Sequence, residues 1–520
     1  MRTLCFAAVM TAGLSFSALA APVNVATVAD LINAVQNASA GDEIVVKSSG
    51  SPYLFSSDQK DIVGHLYARV RITLRGETGN PEDVVLVGNA NRILYLSQTG
   101  NTVQGLTFRN GDCSAYEVRG AEEPYDQMRG GAICIRTTND TTTEIRNCVF
   151  QSCKSNRGGG ACANYGSTTL GGKYYNCVFD GNSTLTTGGG AVYRAVSASN
   201  CTFKNNYSNT SNGGALFGVP EVVGCSIVSN ATSSSSGGFG GGVYDCTLTG
   251  CFVASNYAYR CGAAADSKFY SCTNRANKSQ SDYLEFGLAS GGPGCYAEDC
   301  TFIDVGKSEK KTFGKSAFNR CRFDGNSFVS GSHVFSQTFS MTNCLISGTS
   351  GVRFFQALSA GCEMVNCTVV SNTYYFTANN AAYSPCLTIK NSFFYGNNCR
   401  NDVTTEADVA AVATNLVSSF QNCILSARND QYAPGSGNYN YYSERATFKP
   451  GFVGAEKDPE NPFAITRKSP AFEKAGIVED WMATATDIRG EGYPRIRDGK
   501  VDIGCYQCWD VIPGFTILFR

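Results

Sequence analysis

The chain has 520 residues, with 42 Lys or Arg against 43 Asp or Glu and a formal net charge of −1. These charges are dispersed rather than blocked, which argues against nucleic acid or an anionic membrane surface as the partner. Only 16% of the residues are charged, while Gly numbers 56, Phe 31, Tyr 26 and Cys 24; the regular placement of Cys and Phe argues against disorder and suits short strands joined by tight turns.

Residues 1–20 read as a secretory signal. Arg2 supplies the positive start, 4–19 is apolar and small, and Ala18-Leu19-Ala20 before Ala21 fits a cleavage site. Cys5 has no such site ahead of it and is not read as a lipidation site. No later stretch reaches the ~20 apolar residues of a membrane span. The expectation is an extracellular or cell-surface protein without a transmembrane span.

Residues 21–129 are expected to form an N-terminal cap and the first coils of a solenoid. The pattern predicts a helix over 27–38, with Thr27 and Asp30 as a capping box and Leu31, Ile32 and Val35 on one face. Such a helix would cover the open end of stacked strands. Gly41-Asp42 turns into a strand at 43–47, and further strands are expected at 70–74, 84–87, 93–96 and 103–108.

From 130 to 425 a unit repeats. It begins with a Gly-rich strand start, as at Gly158-Gly159-Gly160-Ala161 or Gly188-Gly189-Gly190-Ala191, and continues with Asn-Cys-x-Phe, as at Asn176-Cys177-Val178-Phe179 and Asn200-Cys201-Thr202-Phe203. It closes with an Asn three residues beyond the apolar position: Asn182, Asn206, Asn230, Asn256, Asn326 and Asn372. The phrase returns at Cys148, Cys177, Cys201, Cys225, Cys251, Cys272, Cys300, Cys321, Cys344, Cys367 and Cys423, with Ser392 in the Cys place once. A period in the twenties means a solenoid. Each repeat has two or three strands too short to bury a core alone, and stacking buries it jointly. The closing Asn is expected to take the left-handed conformation and to bond along a stack of equivalent turns. Twelve to thirteen coils at ~4.8 Å give a rod of roughly 60 Å. No helix long enough for a βαβ crossover lies between the strands, which excludes doubly wound and TIM architectures. The fold class is therefore all-β, a right-handed parallel β-helix solenoid with a short N-terminal capping helix.

The repeating Cys share a strand face with the apolar residue two places on. They are expected to stack inward as buried free thiols, since a disulfide dihedral is hard to meet between aligned side chains. The Cys outside this ladder, namely Cys113, Cys134, Cys153, Cys162, Cys261, Cys295, Cys362, Cys386 and Cys399, are candidates for disulfides. Cys505-x-x-Cys508 has metal-ligand spacing but no second half-site, and His65 and His333 are the chain's two histidines. No metal and no cofactor is expected.

Residues 426–508 lose the repeat and read as an irregular C-terminal cap; 509–520 form a short apolar tail. Three regions resemble bacterial secreted right-handed parallel β-helix proteins. The Gly-Gly-Ala-Ile and Phe-x-x-Asn pairings resemble repeats of chlamydial polymorphic outer-membrane proteins. Residues from Ala29 to Gly111, through Gly41-Asp42-Glu43-Ile44 and Gly105-Leu106-Thr107-Phe108, resemble the first coils of pectate-lyase-like proteins. Lys468-Ser469-Pro470-Ala471-Phe472, Thr486-Asp487-Ile488-Arg489-Gly490, Pro494-Arg495 and Val501-Asp502-Ile503-Gly504-Cys505-Tyr506-Gln507 resemble the end of the choice-of-anchor Q group, with Cys505 and Gln507 where that group has Ala and Glu. The resemblance implies a secreted or surface β-helix, without room here for an autotransporter barrel.

For function, the leading expectation is an exported, non-catalytic surface protein for adhesion or glycan binding, its partner a polysaccharide or cell-surface glycan. The alternative is a polysaccharide lyase or glycoside hydrolase acting on an acidic polysaccharide. Hydrolysis needs two carboxylates across the scissile bond, and elimination needs a base and a cation for the uronate. The Asp-Asp and Gly-His-Gly marks of polygalacturonase-type sites are absent. Glu298, Asp299 and Asp304 are the densest carboxylates on the repeats, and Arg157, Arg194 and Arg260 the best basic candidates. Each is more simply a solvated turn residue. His333 lacks the partners of a triad, so no catalytic residue is assigned.

Overall fold

The structure is a computed structural model that describes residues 21–57, 64–115, 128–137, 139–166, 168–209, 211–233, 237–280, 286–287, 294–304, 311–326, 333–337, 339–350, 353–358, 361–375, 387–401, 404–407, 417–426, 435–474 and 476–508. The proposed signal, the apolar tail, Cys5, Cys386 and the sequence around Ser330 lie outside the described residues. The chain winds into a right-handed parallel β-helix. A central coil shows the plan. Gly171–Tyr175 lies in a first sheet, Val178–Asp180 in a second, Ser183–Thr184 in a third and Val192–Tyr193 in a fourth. The next coil repeats it in parallel register: Tyr174 pairs with Ala198, Phe179 with Phe203, Thr184 with Ser208 and Val192 with Leu216. The two-residue strands of the third sheet, from Asp112–Cys113 to Lys278–Ser279, escape sequence reading because they are too short for alternation to show.

Each corner is built from two consecutive residues. The first is left-handed, as at Asn176 (φ 53°), Gly181 (φ 67°) and Asp245 (φ 53°). The second points its side chain inward, as Cys177, Asn182 and Cys246 do, and as Ala195 and Val219 do with apolar groups. The left-handed residue is thus the one before the closing Asn, not the closing Asn itself. The reason is that the Asn amide must point into the core to bond along the stack. Asn206 Oδ1 accepts from the backbone N–H and the Nδ2 of Asn182, both at 3.0 Å. Its own Nδ2 donates to Phe179 O at 3.0 Å and to Asn230 Oδ1 at 2.9 Å. The column runs on through Asn256 to Asn277. The expected single strand at 103–108 is divided by such a corner at Gly105 (φ 63°) into Thr102–Gln104 and Thr107–Arg109.

The ladder cysteines are buried thiols. Cys201 Sγ accepts the N–H of Cys177 at 3.4 Å and donates to Ser199 O at 3.3 Å. Cys225 and Cys251 repeat this one coil apart each. Ser392 takes the same place with the same bonds: its Oγ accepts from Cys367 N at 3.1 Å and donates to Lys390 O at 2.8 Å. Of the cysteines outside this ladder, expected as disulfide candidates, Cys113, Cys134, Cys153, Cys162, Cys261, Cys295 and Cys362 are instead buried free thiols, because several corner positions other than the ladder also take a buried Cys. Cys153 N–H meets Asn182 Oδ1 at the head of the Asn column, and Cys246 N–H meets Ser267 Oγ. Beside these columns the rings of Phe108, Phe150, Phe179 and Phe203 stack with centroids 4.7–5.2 Å apart. At Gly190 an added Cβ would lie 2.1 Å from Gly214 O, which explains the Gly-rich strand starts by crowding.

A helix, α1 (Val28–Gln36), closes the N-terminal end. Thr27 caps it by accepting from Asp30 N at 3.1 Å, and Leu31 and Val35 are buried. Among the described residues no helix is long and apolar enough to cross a membrane. At the other end Gly435–Ser436 and Tyr439–Asn440 still pair with the first and second sheets, so the coiling continues past the last ladder Cys. The irregular chain then doubles back over the outer face of the second sheet. Ala464, Ile465, Ala471, Ile488, Ile503 and Tyr506 pack on Leu345, Val370, Phe393 and Ile424. Cys505 and Cys508 are buried there; among the described residues no three metal-ligating side chains come together.

Replacing Asn206 with Ala strands the Asn182 N–H and takes a donor from Phe179 O and from Asn230 Oδ1; it is expected to cost at least ~2–3 kcal/mol, read as a lower midpoint of chemical denaturation. Cys201→Ser should stay close to the parent and Cys201→Ala should fall well below it. Burial pushes the thiols of Cys153, Cys246 and Cys423 up to about 12 from an ordinary 9.0. Their contribution to stability is therefore whole below pH 9 and lost as the pH rises from 9 to about 12. The native protein should leave these thiols unlabelled by thiol reagents at neutral pH, with labelling appearing on denaturation.

Candidate functional site

Where the returning chain ends against the second sheet, it leaves an open groove of about 990 Å³. The solenoid side is the outer face of Thr301–Ile303, Arg322–Asp324 and Leu345–Ser347, with Asp299 and Arg320 at the corner below. The other wall is 459–463 and 488–493, which places Glu460, Arg489, Glu491 and Tyr493 opposite. Strand alternation explains the solenoid side: Phe302, Phe323 and Ile346 point into the core, so their neighbours Arg322 and Asp324 point out.

The arginines are committed to the protein itself. Arg320, at a left-handed corner (φ 49°), reaches one coil back and grips Asp299 through Nε and Nη2 at 2.6 and 2.8 Å. Its Nη2 also meets Glu298 Oε1 at 2.6 Å. The Asp299 hydrogen bonds, reinforced by the Glu298 charge, raise the arginine further above its ordinary value. Arg322 donates to Glu460 O at 3.0 Å, Tyr506 Oη at 3.2 Å and Asn461 Oδ1 at 2.6 Å, which ties the returning chain to the coils. Arg489 is forked onto the buried Asp487, donates to Gln507 O and lies over the ring of Tyr493 at 4.0 Å. By contrast Asp324, Glu460 and Glu491 are exposed, and Asp324 receives one bond, from Ser347 Oγ at 2.9 Å. Tyr493 is 36% exposed at the rim.

Glu298 and Asp299, singled out from the sequence, thus come together under one guanidinium. Asp304 sits at the next corner (φ 53°), paired with Arg275 at 3.2 Å. Arg194 and Arg260 stand elsewhere, beside the fourth sheet, over the rings of Phe217 and Phe239 at 5.6 and 5.4 Å. Arg157 lies in the turn that enters the fourth sheet, its N–H on Met128 O. None of the three faces the groove. His65 is a buried ring stacked on Phe55 at 4.6 Å, and His333 opens the strand His333–Gln337. Sequence reading missed Arg320, Arg322, Arg489 and Tyr493. The available signal was Arg320-Cys321-Arg322, where a bulky charged pair brackets a ladder Cys in place of the usual small corner residue.

No family model and no curated protein matches the sequence. Among solved structures, the chain is similar to the PL6 family alginate lyase AlyGC, at 13% identity over 94% of this chain and 60% of that one, with a TM-score of 0.35. It is also similar to PfbA, a surface adhesin of Streptococcus pneumoniae, at 10% identity over 75% and 96% of the two chains, TM-score 0.33. Against the pectate lyase Pel9A the values are 11%, 85% and 89%, and 0.28. The chain spans about 60% of the length of AlyGC, and the likeness to all three is one of fold.

Arg320→Met removes the guanidinium between two carboxylates of neighbouring positions. It is expected to cost ~1–3 kcal/mol, discounted for partial exposure. Arg320→Lys should recover only part of this, because a point charge cannot make the fork. Thermal denaturation of the two variants checks both expectations.

Proposed function

We propose that this chain is an exported, non-catalytic surface rod that binds glycans, with the groove beside the second sheet receiving a neutral or amine-bearing sugar. The observation that carries this reading is that every guanidinium in the groove is already engaged by acceptors of the protein itself. Elimination on a uronate needs a cation to neutralise the substrate carboxylate, and no arginine here is spare for it. Inverting or retaining hydrolysis needs one carboxyl held protonated by burial opposite a second carboxylate. Asp324, Glu460 and Glu491 instead stand in solvent. Their charge disfavours an acidic chain in this groove and suits hydroxyls and ammonium groups, which carboxylates accept hydrogen bonds from.

Tyr493 supplies the apolar element. Its ring is held at the rim by Arg489, and a fixed aromatic face is a platform for the C–H side of a sugar ring. The signal-like start at 1–20 and the choice-of-anchor Q-like end support a location outside the cell or on its surface, and the Gly-Gly-Ala-Ile repeats fit a surface protein. Those features support export and display, and the groove supports what is displayed.

A glycan array beside reducing-sugar and unsaturated-uronate assays on a polysaccharide panel tests the reading. Binding of neutral or amino-sugar glycans without turnover is expected, with affinity falling about tenfold or more in Tyr493→Ala. Cleavage of any polysaccharide, or Tyr493→Ala binding as the parent does, overturns it.

A further inference from the structure

We propose that the rod carries a second, separate site, for a neutral sugar whose adjacent hydroxyls bridge Arg194 and Asp245. It lies in a hollow of about 320 Å³ at the corner where the fourth sheet turns into the first.

The register builds this site. Tyr193 pairs with Phe217, Phe217 with Tyr244 and Tyr244 with Ala265. The residues that follow them, Arg194, Gly218, Asp245 and Asp266, therefore form one column of left-handed corners, with φ of 56°, 66°, 53° and 49°. Arg194 and Asp245 stand two coil spacings apart, ~10 Å between backbones. Gly218 between them has no side chain, and Arg194 lies across it: a Cβ there would come 3.3 Å from Arg194 Cγ and 3.6 Å from its Nη1. The guanidinium therefore ends about one coil short of Asp245, ~5 Å.

The gap is held open. The Arg194 guanidinium lies 5.6 Å from the centre of the Phe217 ring and 5.8 Å from that of Tyr193, and its Nε is shut off from solvent with no acceptor in reach. Packing on the rings keeps it from swinging onto the acid. Asp245 feels it all the same: desolvation raises the carboxyl above its ordinary value, and the Arg194 charge opposes the rise. At the groove, by contrast, Asp299 and Arg320 stand on successive corners and close directly on each other. The glycine corner between Arg194 and Asp245 turns the same kind of pair into a receptor.

A group that fills such a gap must accept from the cation and donate to the acid. A hydroxyl does both, and adjacent ring hydroxyls do so side by side. The other walls suit the same guest. Thr168 and Thr247 offer further hydroxyls, and Leu170 and Pro220 offer apolar contact for ring C–H groups. The charges balance, because Lys268 lines the hollow together with Asp266, which accepts from Gly294 N–H at 3.1 Å. A charged ligand would meet repulsion from one pair of side chains wherever it met attraction from the other, which favours a neutral ring.

Saturation-transfer NMR and titration calorimetry on the full chain test this. The probes are the methyl glycosides of glucose, galactose, mannose and N-acetylglucosamine, with those of glucuronate and glucosamine as charged controls. At least one neutral glycoside should bind, and at least one singly deoxygenated form of it should lose about tenfold or more in affinity. Arg194→Gln and Asp245→Asn should each weaken the same binding about tenfold or more. Asparagine is at home in a left-handed corner, so Asp245→Asn should keep the parent's melting temperature. Tyr493→Ala, in the groove, should leave this binding unchanged. The proposal is overturned if no neutral glycoside binds, if a charged control binds more tightly than every neutral one, or if either variant binds as the parent does. Binding lost in Tyr493→Ala and kept in the Arg194 and Asp245 variants would belong to the groove, which overturns this site and leaves the reading of the groove intact.

Discussion

Where the first sheet meets the second and the second meets the third, a side chain of one coil accepts the backbone N–H that the coil before it cannot give to another main-chain carbonyl. Along a parallel sheet the main chain satisfies itself. Where a left-handed residue swings the chain into the next sheet, one inward N–H is left over, and a buried unpaired donor costs ~1–3 kcal/mol. The molecule answers with columns of short polar side chains: Cys or Ser between the first and second sheets, Asn between the second and third, Cys and Ser again between the fourth and first. Each rung serves the rung before it and is served by the one after, so the columns fix the register of the coils more tightly than the apolar stack alone, which tolerates slippage among similar rings.

Because the corners set the register, the chain between them is free to vary. Intervals between rungs of the Cys column range from 21 residues, between Cys251 and Cys272, to 31, between Ser392 and Cys423, while the paired strands keep their register. The same freedom lets the left-handed position before a rung of the Cys column be Asn, Gly, Ser, Asp or Arg, since it faces away from the core. Where it becomes Asp299 and, one coil on, Arg320, a corner turns into a charged pair and the floor of a groove. The site thus grows from the one corner position that the hydrogen-bond columns leave unconstrained.

This explains what could be read in advance. The stacked Cys and Asn were legible because each occupies an obligatory place once per coil, and the helix at the N-terminal end was legible from Thr27 and Asp30. The left-handed residues were misplaced by one position, because Asn is common both before the rung, as at Asn176, and on it, as at Asn182. Of the groove only Asp299, with Glu298 beside it, was legible. Arg322 meets Asn461 and Tyr506 across 139 and 184 residues, and nothing local in a repeat announces that a later segment will lie over it. Only the departure at Arg320-Cys321-Arg322 marked the spot.

The choice of Cys over Ser for most rungs follows from the same constraint. Ser392 and Ser267 show that a hydroxyl makes the required bonds. A thiol makes them more weakly but fills more volume and is cheaper to bury, and each rung is flanked by core rings and aliphatics. The hazard of a thiol is oxidation. At rungs such as Cys177 and Cys344 burial counters it, because a thiol held above its ordinary value has almost no thiolate to react. The core is thereby chemically closed, and the residues free to vary are those on the outer faces, as in the groove whose arginines are spent on the protein itself and whose acids stand in solvent.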